Sequence, residues 1–245
     1  MAAIKRSTSG AVKLPSSTPA HVRNLIGNMD EVHGLMELHR QVSGENPGRR
    51  FGLEVLNKSA IVLIVACWES FIEELALSAF EFLLANATSY DCFPSKVLVQ
   101  ASAPLRDDQD KRAVWRLAGD GWREVLVNHR KYVVEMRLDK FHSPRCEGVD
   151  SLLSELIGFP SLSSTWHWPR SNNTLTKARL EELIDLRGEI AHKVRATRSA
   201  YKADVFSARD LVSRLAAISS NRVSIFLKSR TGIRPWGSVG FGRAA

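Results

Sequence analysis

The sequence predicts an all-α fold: a helical bundle with a long central helix and a loop-rich insertion before the motif helix. Three observations carry this. Apolar residues recur at helical spacing through the long segments, while no series of strands with alternating polarity is found. One stretch, from about 51 to 87, is apolar on more than one face, as a helix at the centre of a bundle must be. With 245 residues, 44% hydrophobic and 24% charged, the chain can bury a large core without disulfide or metal staples.

Residues 1–19 are rich in Ser, Thr, Gly and Pro and read as a disordered basic tail. A first helix is expected over about 20–43, with Leu25, Met29, Val32, Leu35, Met36 and Leu38 along it. "SGENPGRR" then breaks the chain by its Gly and Pro content. In the central helix, Leu53, Leu56, Ala60, Leu63, Ile64, Cys67, Phe71, Leu75, Leu77, Phe80, Phe82 and Leu83 crowd several faces. Its most apolar run, "AIVLIVACW", is nine residues long and ends at Glu69. A membrane span needs about 20 such residues, so this is a buried core helix.

Shorter helices are expected at about 94–101 and 105–117. The next, "GDGWREVLVNHRKYVVEMRLDK", places Trp122, Val125, Leu126, His129, Tyr132, Val133 and Met136 on one face. Residues 141–173 are loop-rich around one short helix, "VDSLLSELIG". Trp166 and Trp168 within it read as packing anchors rather than a base-stacking platform, and with His167 and Arg170 they stay outside the site. "TLTKARLEELIDLRGEIAHKVRATRSA" is strongly helical, with Thr174 or Thr176 as its N-cap. A last helix spans about 203–229, so the helical domain covers 20–229 and residues 230–245 read as a flexible basic tail.

Charge is concentrated at the ends. Lys5, Arg6, Lys13 and Arg23 lie in residues 1–29, and Arg214, Arg222, Lys228, Arg230, Arg234 and Arg243 in 211–245, with no acid in either stretch. These ten exceed the net charge of +8, so the middle of the chain carries −2. Such ends suit a polyanion such as RNA, and equally serve as solubilising tails. No apolar leader is visible at the start. Cys67, Cys92 and Cys146 have no metal-like spacing and read as reduced thiols of a cytoplasmic protein.

Familiar catalytic signatures are absent. There is no GxxxxGK[ST] and no GxSxG, and "GSVGFG" follows no strand. None of the seven histidines pairs with another at i,i+3 or i,i+4, so no helical metal site is expected. What remains is "DLRGEIAHKV". The apolar stripe of its helix runs through Leu180, Leu183 and Ile184 to Ile190, Ala191 and Val194, and Arg187 occupies a stripe position. A guanidinium turned toward a core has to be paired. Glu69, interrupting the central apolar run, is the first candidate carboxylate, with Glu73 a turn further on. Five residues separate Arg187 from His192, a rotation of about 140° and a rise of about 7.5 Å. The spacing alone is not specific: Arg137 and His142 share it.

The neighbourhood is more informative. "LEELIDLRGEIAHKV" resembles the signature helix of the HEPN superfamily, where Arg and His stand four to six residues apart near the end of a late helix. "ACWESFIEELALSAFEFL", "FHSPRCEGVDSLLSELIGF" and "WHWPRSNNTL" resemble its RiboL-PSP-HEPN branch. The resemblance covers about residues 20–228. It implies a metal-independent endoribonuclease without cofactor, built as a homodimer whose paired motif helices place two Arg187 and two His192 in one cleft. Glu69, Glu189, Gly188 and Lys193 would support them. The products would carry 2′,3′-cyclic phosphate and 5′-OH ends.

Related families suggest a toxin or phage-defence effector, with an antitoxin or defence-system partner and no membrane. The family usually carries a polar residue, often Asn, where this chain has Gly188, and often Gly where it has Lys193. Two other readings therefore stay open. One is a catalytically inactive module that binds RNA or dimerises. The other is a structural helical protein with Arg187 in a core ion pair.

Overall fold

The computed structural model describes residues 18–43, 53–137, 144–192 and 199–240. Seven α-helices follow in order: α1 Ala20–Ser43, α2 Glu54–Asn86, α3 Ser95–Arg106, α4 Gly121–Arg137, α5 Cys146–Leu156, α6 Asn173–His192 and α7 Lys202–Thr231. Short 3-10 turns occupy Tyr90–Cys92, Lys111–Leu117 and Ser163–Thr165. No strand occurs among the described residues, as the helical periodicity predicts. None of the described helices is long and apolar enough to cross a membrane.

The α2 helix is the hub, with α1, α4, α5, α6 and α7 all packing against it. Ala60, Ile61, Ile64, Trp68, Phe71, Ile72, Leu75, Ala79, Phe80 and Leu83 are buried along it and cover more than one face. Burying so many large side chains, at roughly 1.5–3 kcal/mol each, is what outweighs the entropy of ordering the chain. The expected stripe is too wide in places: Leu63 on α2 and Leu38 on α1 are exposed, as are Tyr132 and Met136 on α4. These positions stray outward because 3.6 residues per turn carries every later apolar position off the packed face unless a second neighbour covers it.

The region after α2 departs from the expected pair of helices. The α3 helix continues through Pro104 to Arg106, keeping Val97, Ala101 and Leu105 buried at four-residue spacing. The missing N–H of one proline so near the helix end weighs less than that burial. Lys111–Leu117 is a 3-10 turn opened by Asp110, whose carboxylate accepts the Arg112 N–H at 3.0 Å.

The insertion between α4 and α6 is tied down by few residues. Asp150 on α5 accepts from the Ser161 hydroxyl at 3.0 Å and from the Ser163 N–H at 2.7 Å. Gly158 has φ +71, and a Cβ there would stand 2.4 Å from Pro94, so glycine is required on both counts. Trp166 is fully buried, donates its indole N–H to Ser219 at 3.0 Å and meets Trp68 edge-on. Trp168 is half-buried beneath the Arg214 guanidinium. Both tryptophans are anchors of the insertion.

Residues 232–240, read from the sequence as part of a flexible tail, fold back instead. Ser224 donates to the Trp236 carbonyl at 2.8 Å, the Trp236 indole donates to the Ser220 carbonyl at 3.1 Å, and the amide of Asn221 exchanges two bonds with Val239. The sequence cue missed was Trp236, an aromatic residue in a Gly-rich stretch, which supplies a fixed contact point. The expected N-terminal tail lies outside the described residues apart from 18 and 19.

Candidate functional site

The site is built on the last turns of α6. The helix starts at Asn173, and the preceding Asn172 is its cap: its side-chain oxygen accepts the Leu175 N–H at 2.8 Å. Thr174 and Thr176 are not the cap. Thr176 is buried and instead donates to the Asn172 carbonyl, which leaves Asn172 as the side chain free to reach forward.

From there Leu180, Leu183 and Ile184 enter the core. Arg187 continues that stripe and is half-buried, with its Nε enclosed by protein. Ile190 packs against the core, whereas Ala191, expected on the stripe, is exposed. Gly188 and Glu189 are half-buried. His192 is exposed and closes the described helix. Lys193 and Val194 lie outside the described residues. An enclosed guanidinium stem and an open imidazole thus stand about 7.5 Å apart along one helix. Glu69 and Glu73 are half-buried on α2, against which α6 packs.

What orients α6 is a clamp that periodicity does not reveal. Arg145, just before α5, donates to Glu181 at 2.6 Å and also bonds Asp185 on the next turn. The Cys146 N–H donates to the same Glu181 at 3.0 Å. The indole of Trp68 donates to the Pro144 carbonyl at 3.1 Å, so residues 144–146 join α2 to α6. Asp185 and then Glu181 raise the Arg145 pKa, outweighing desolvation. Burial alone would raise that of Glu181, but the Arg145 contact and the Cys146 N–H hold it below the ordinary range. Acids at 181 and 185, four residues apart on an outward face, were the available signal. Beyond α6, the Asn57 amide on α2 donates to the Ala200 carbonyl at 3.0 Å, fixing the chain where α7 is about to begin.

Among the described residues, no group of three or more His, Cys, Asp or Glu side chains is placed to hold a metal ion. A cavity of about 870 Å³ opens between α3, α4 and α5, lined by Leu105, Val125, His129 and Tyr132, and it contains none of the candidate residues. His129 at its edge bonds the Glu155 carbonyl through Nε2 at 2.9 Å, which accounts for its burial as a packed core histidine.

Chemically, an imidazole is a group that can accept and return a proton during phosphoryl transfer. A guanidinium on the same helix can hold a phosphate or the extra charge of a phosphorane. No curated protein and no solved structure matches this chain. The RiboL-PSP-HEPN family model, in contrast, matches residues 28–221, a span that takes in α2 to α6 and the whole candidate site, and the chain belongs to the RiboL-PSP-HEPN family.

Proposed function

We propose that the protein is a metal-independent endoribonuclease in which His192 and Arg187 carry the reaction. Family membership supports a function directed at RNA or nucleotides. The observation that favours cleavage is the placement of Arg187: a cation at a stripe position, its stem enclosed, one and a half turns before an exposed histidine. His192 would take the proton from a ribose 2′-OH, whose oxygen attacks the adjacent phosphorus. The P–O5′ bond breaks and the departing 5′-oxygen takes a proton from the imidazolium or from water, leaving a 2′,3′-cyclic phosphate and a 5′-OH. Arg187 would neutralise the phosphorane, with Glu69 as the carboxylate that offsets it and Glu189 and Lys193 at the flank. RNA supplies the nucleophile itself, so the route needs no metal-activated water.

Two-fold pairing of α6 with a second copy would bring two Arg187 and two His192 to one cleft, as a homodimer. A toxin or phage-defence role, with an antitoxin or defence-system partner, fits such an enzyme, and its proposed location is the cytoplasm. The test is incubation of purified protein with single-stranded RNA, wild type beside His192→Ala, with end-group analysis. Cleavage by the wild type alone supports the proposal. A folded wild type inert on varied RNAs favours the binding or dimerisation module.

A further inference from the structure

The cavity of about 870 Å³ between α3, α4 and α5 is separate from the end of α6. Its volume falls within the range of small-molecule sites, about 300–1,000 Å³. Leu105, Val125 and Val133 are buried where they line it and give it an apolar floor. Tyr132 and Met136 also line it, and both are exposed. An aromatic ring and a thioether left open beside a recess are surfaces on which a flat apolar body packs well.

His129 supplies an independent observation. Its side chain lines the cavity and is only 7% exposed. Nε2 lies 2.9 Å from the Glu155 carbonyl, which can only accept, so Nε2 carries a proton. In the neutral ring Nδ1 is then an acceptor, and no described residue donates to it. Nor is Nδ1 among the polar atoms enclosed without a partner, so it keeps an open side. A fixed acceptor thus stands in the wall of an open cavity, and an N–H or O–H entering the cavity completes its bonding.

The charged lining is acidic on balance. Asp107 and Glu155 stand against Arg116, whose guanidinium also has Glu124 at 3.9 Å. Asp107 is exposed and forms no ion pair with a described residue. We infer that the cavity is a second binding site, for a small aromatic amine. The flat body lies on the apolar floor against Tyr132, a ring N–H or O–H donates to His129 Nδ1, and the cationic end meets Asp107. None of the residues proposed for cleavage lines this cavity, so the site stands or falls apart from the nuclease reading.

The experiment is calorimetric titration of the full chain with tryptamine, whose indole N–H and ammonium match the two polar features. Saturable binding of one molecule per chain is expected, with a Kd below about 1 mM. Tryptamine methylated on the ring nitrogen has lost the donor and should bind about fivefold to tenfold more weakly, the worth of one hydrogen bond. Indolepropionate keeps the ring, reverses the charge and should also bind more weakly than tryptamine. His129→Gln keeps a donor for the Glu155 carbonyl and removes Nδ1, so it should bind tryptamine and its ring-methylated form alike. Asp107→Asn changes an exposed side chain and should weaken tryptamine about threefold with the melting temperature unchanged.

A folded wild type with no saturable binding at millimolar tryptamine overturns the site. Equal affinity for the ring-methylated form overturns the role of His129, and equal affinity for indolepropionate overturns the cationic class. Ala103→Trp fills the recess from α3. If that variant melts like the wild type and still binds tryptamine, the ligand lies elsewhere and the cavity is not its site. Should Ala103→Trp or His129→Gln fail to fold, the three ligands on the wild type and Asp107→Asn still decide, since unchanged tryptamine affinity in Asp107→Asn overturns the assignment. RNA cleavage without amine binding removes this site and keeps the nuclease, and amine binding without cleavage does the reverse.

Discussion

His21 at the start of α1 meets Ser220 on α7 at 3.0 Å, joining the two ends of the fold through a ring that is 1% exposed. Its Nδ1 is enclosed without a partner, and Phe71 and Trp236 present ring contacts around it. Burial pushes its pKa down to about 4 from 6.5, so the folded protein holds the neutral form. The unfolded chain therefore binds more protons between those values, and stability rises with pH across that window. The fold is fully supported by this residue above pH 6.5. It loses support as the pH falls toward about 4, by an amount on the order of 3 kcal/mol, and no more below. Melting curves from pH 8 to 3.5 should show the decline, and His21→Phe should flatten it.

Trp166 predicts the strength of the insertion's anchor. It is fully buried, with its indole N–H on Ser219. Trp166→Ala should cost about 3–5 kcal/mol in chemical denaturation. Trp166→Phe should cost less, since it keeps most of the volume and leaves only one hydroxyl without its bond. A mild effect from Ala would show that the 144–172 insertion is not coupled to the α2–α7 core.

The helices were legible in the sequence wherever burial is periodic. The whole of α1, the span of α2 and the all-α class follow from apolar spacing, because those helices bury a continuous stripe. The α3 boundary was not legible, since local breaking by Pro104 competes with burial of Leu105 and loses. Trp236 escaped because a single anchor in a Gly-rich stretch has no period. At the site, Arg187 stood out as a charge on an apolar stripe and the structure finds it half-buried there. The Arg145 clamp did not stand out, because its three residues come from two distant stretches and only the fold brings them together.

Clamp and carboxylate can be probed by coupling. We expect a double-mutant cycle of Glu69→Gln and Arg187→Lys to give an interaction energy above about 0.5 kcal/mol in stability. A value near zero would remove Glu69 from the proposed site. Arg145→Ala is expected to lower cleavage more than it lowers the melting temperature, because its ion pairs are half exposed and worth little by themselves.

Pairing of α6 across a two-fold axis predicts an oligomer. Sedimentation at micromolar concentration should show a dimer, and mixing Arg187→Lys with His192→Ala chains should restore part of the activity if each cleft draws on both copies. A strict monomer that still cleaves RNA would confine the chemistry to one helix.

Activity itself gives the sharpest expectation. Single-stranded or looped RNA should be cut in preference to duplex, because the 2′-OH must come in line with the P–O5′ bond and unpaired nucleotides allow it. His192→Ala should abolish cleavage, since no other histidine lies on α6. Arg187→Lys keeps the charge and loses the planar fork, so it should lower turnover by roughly tenfold or more while the melting temperature stays near that of the wild type. EDTA should leave the rate unchanged, because attacking oxygen and proton acceptor are both present without a metal. Rising salt should weaken binding as counterions compete for the basic ends of the chain. Retention of full activity in His192→Ala would move the chemistry away from α6, and sensitivity to EDTA would replace the proposed mechanism with a metal-dependent one.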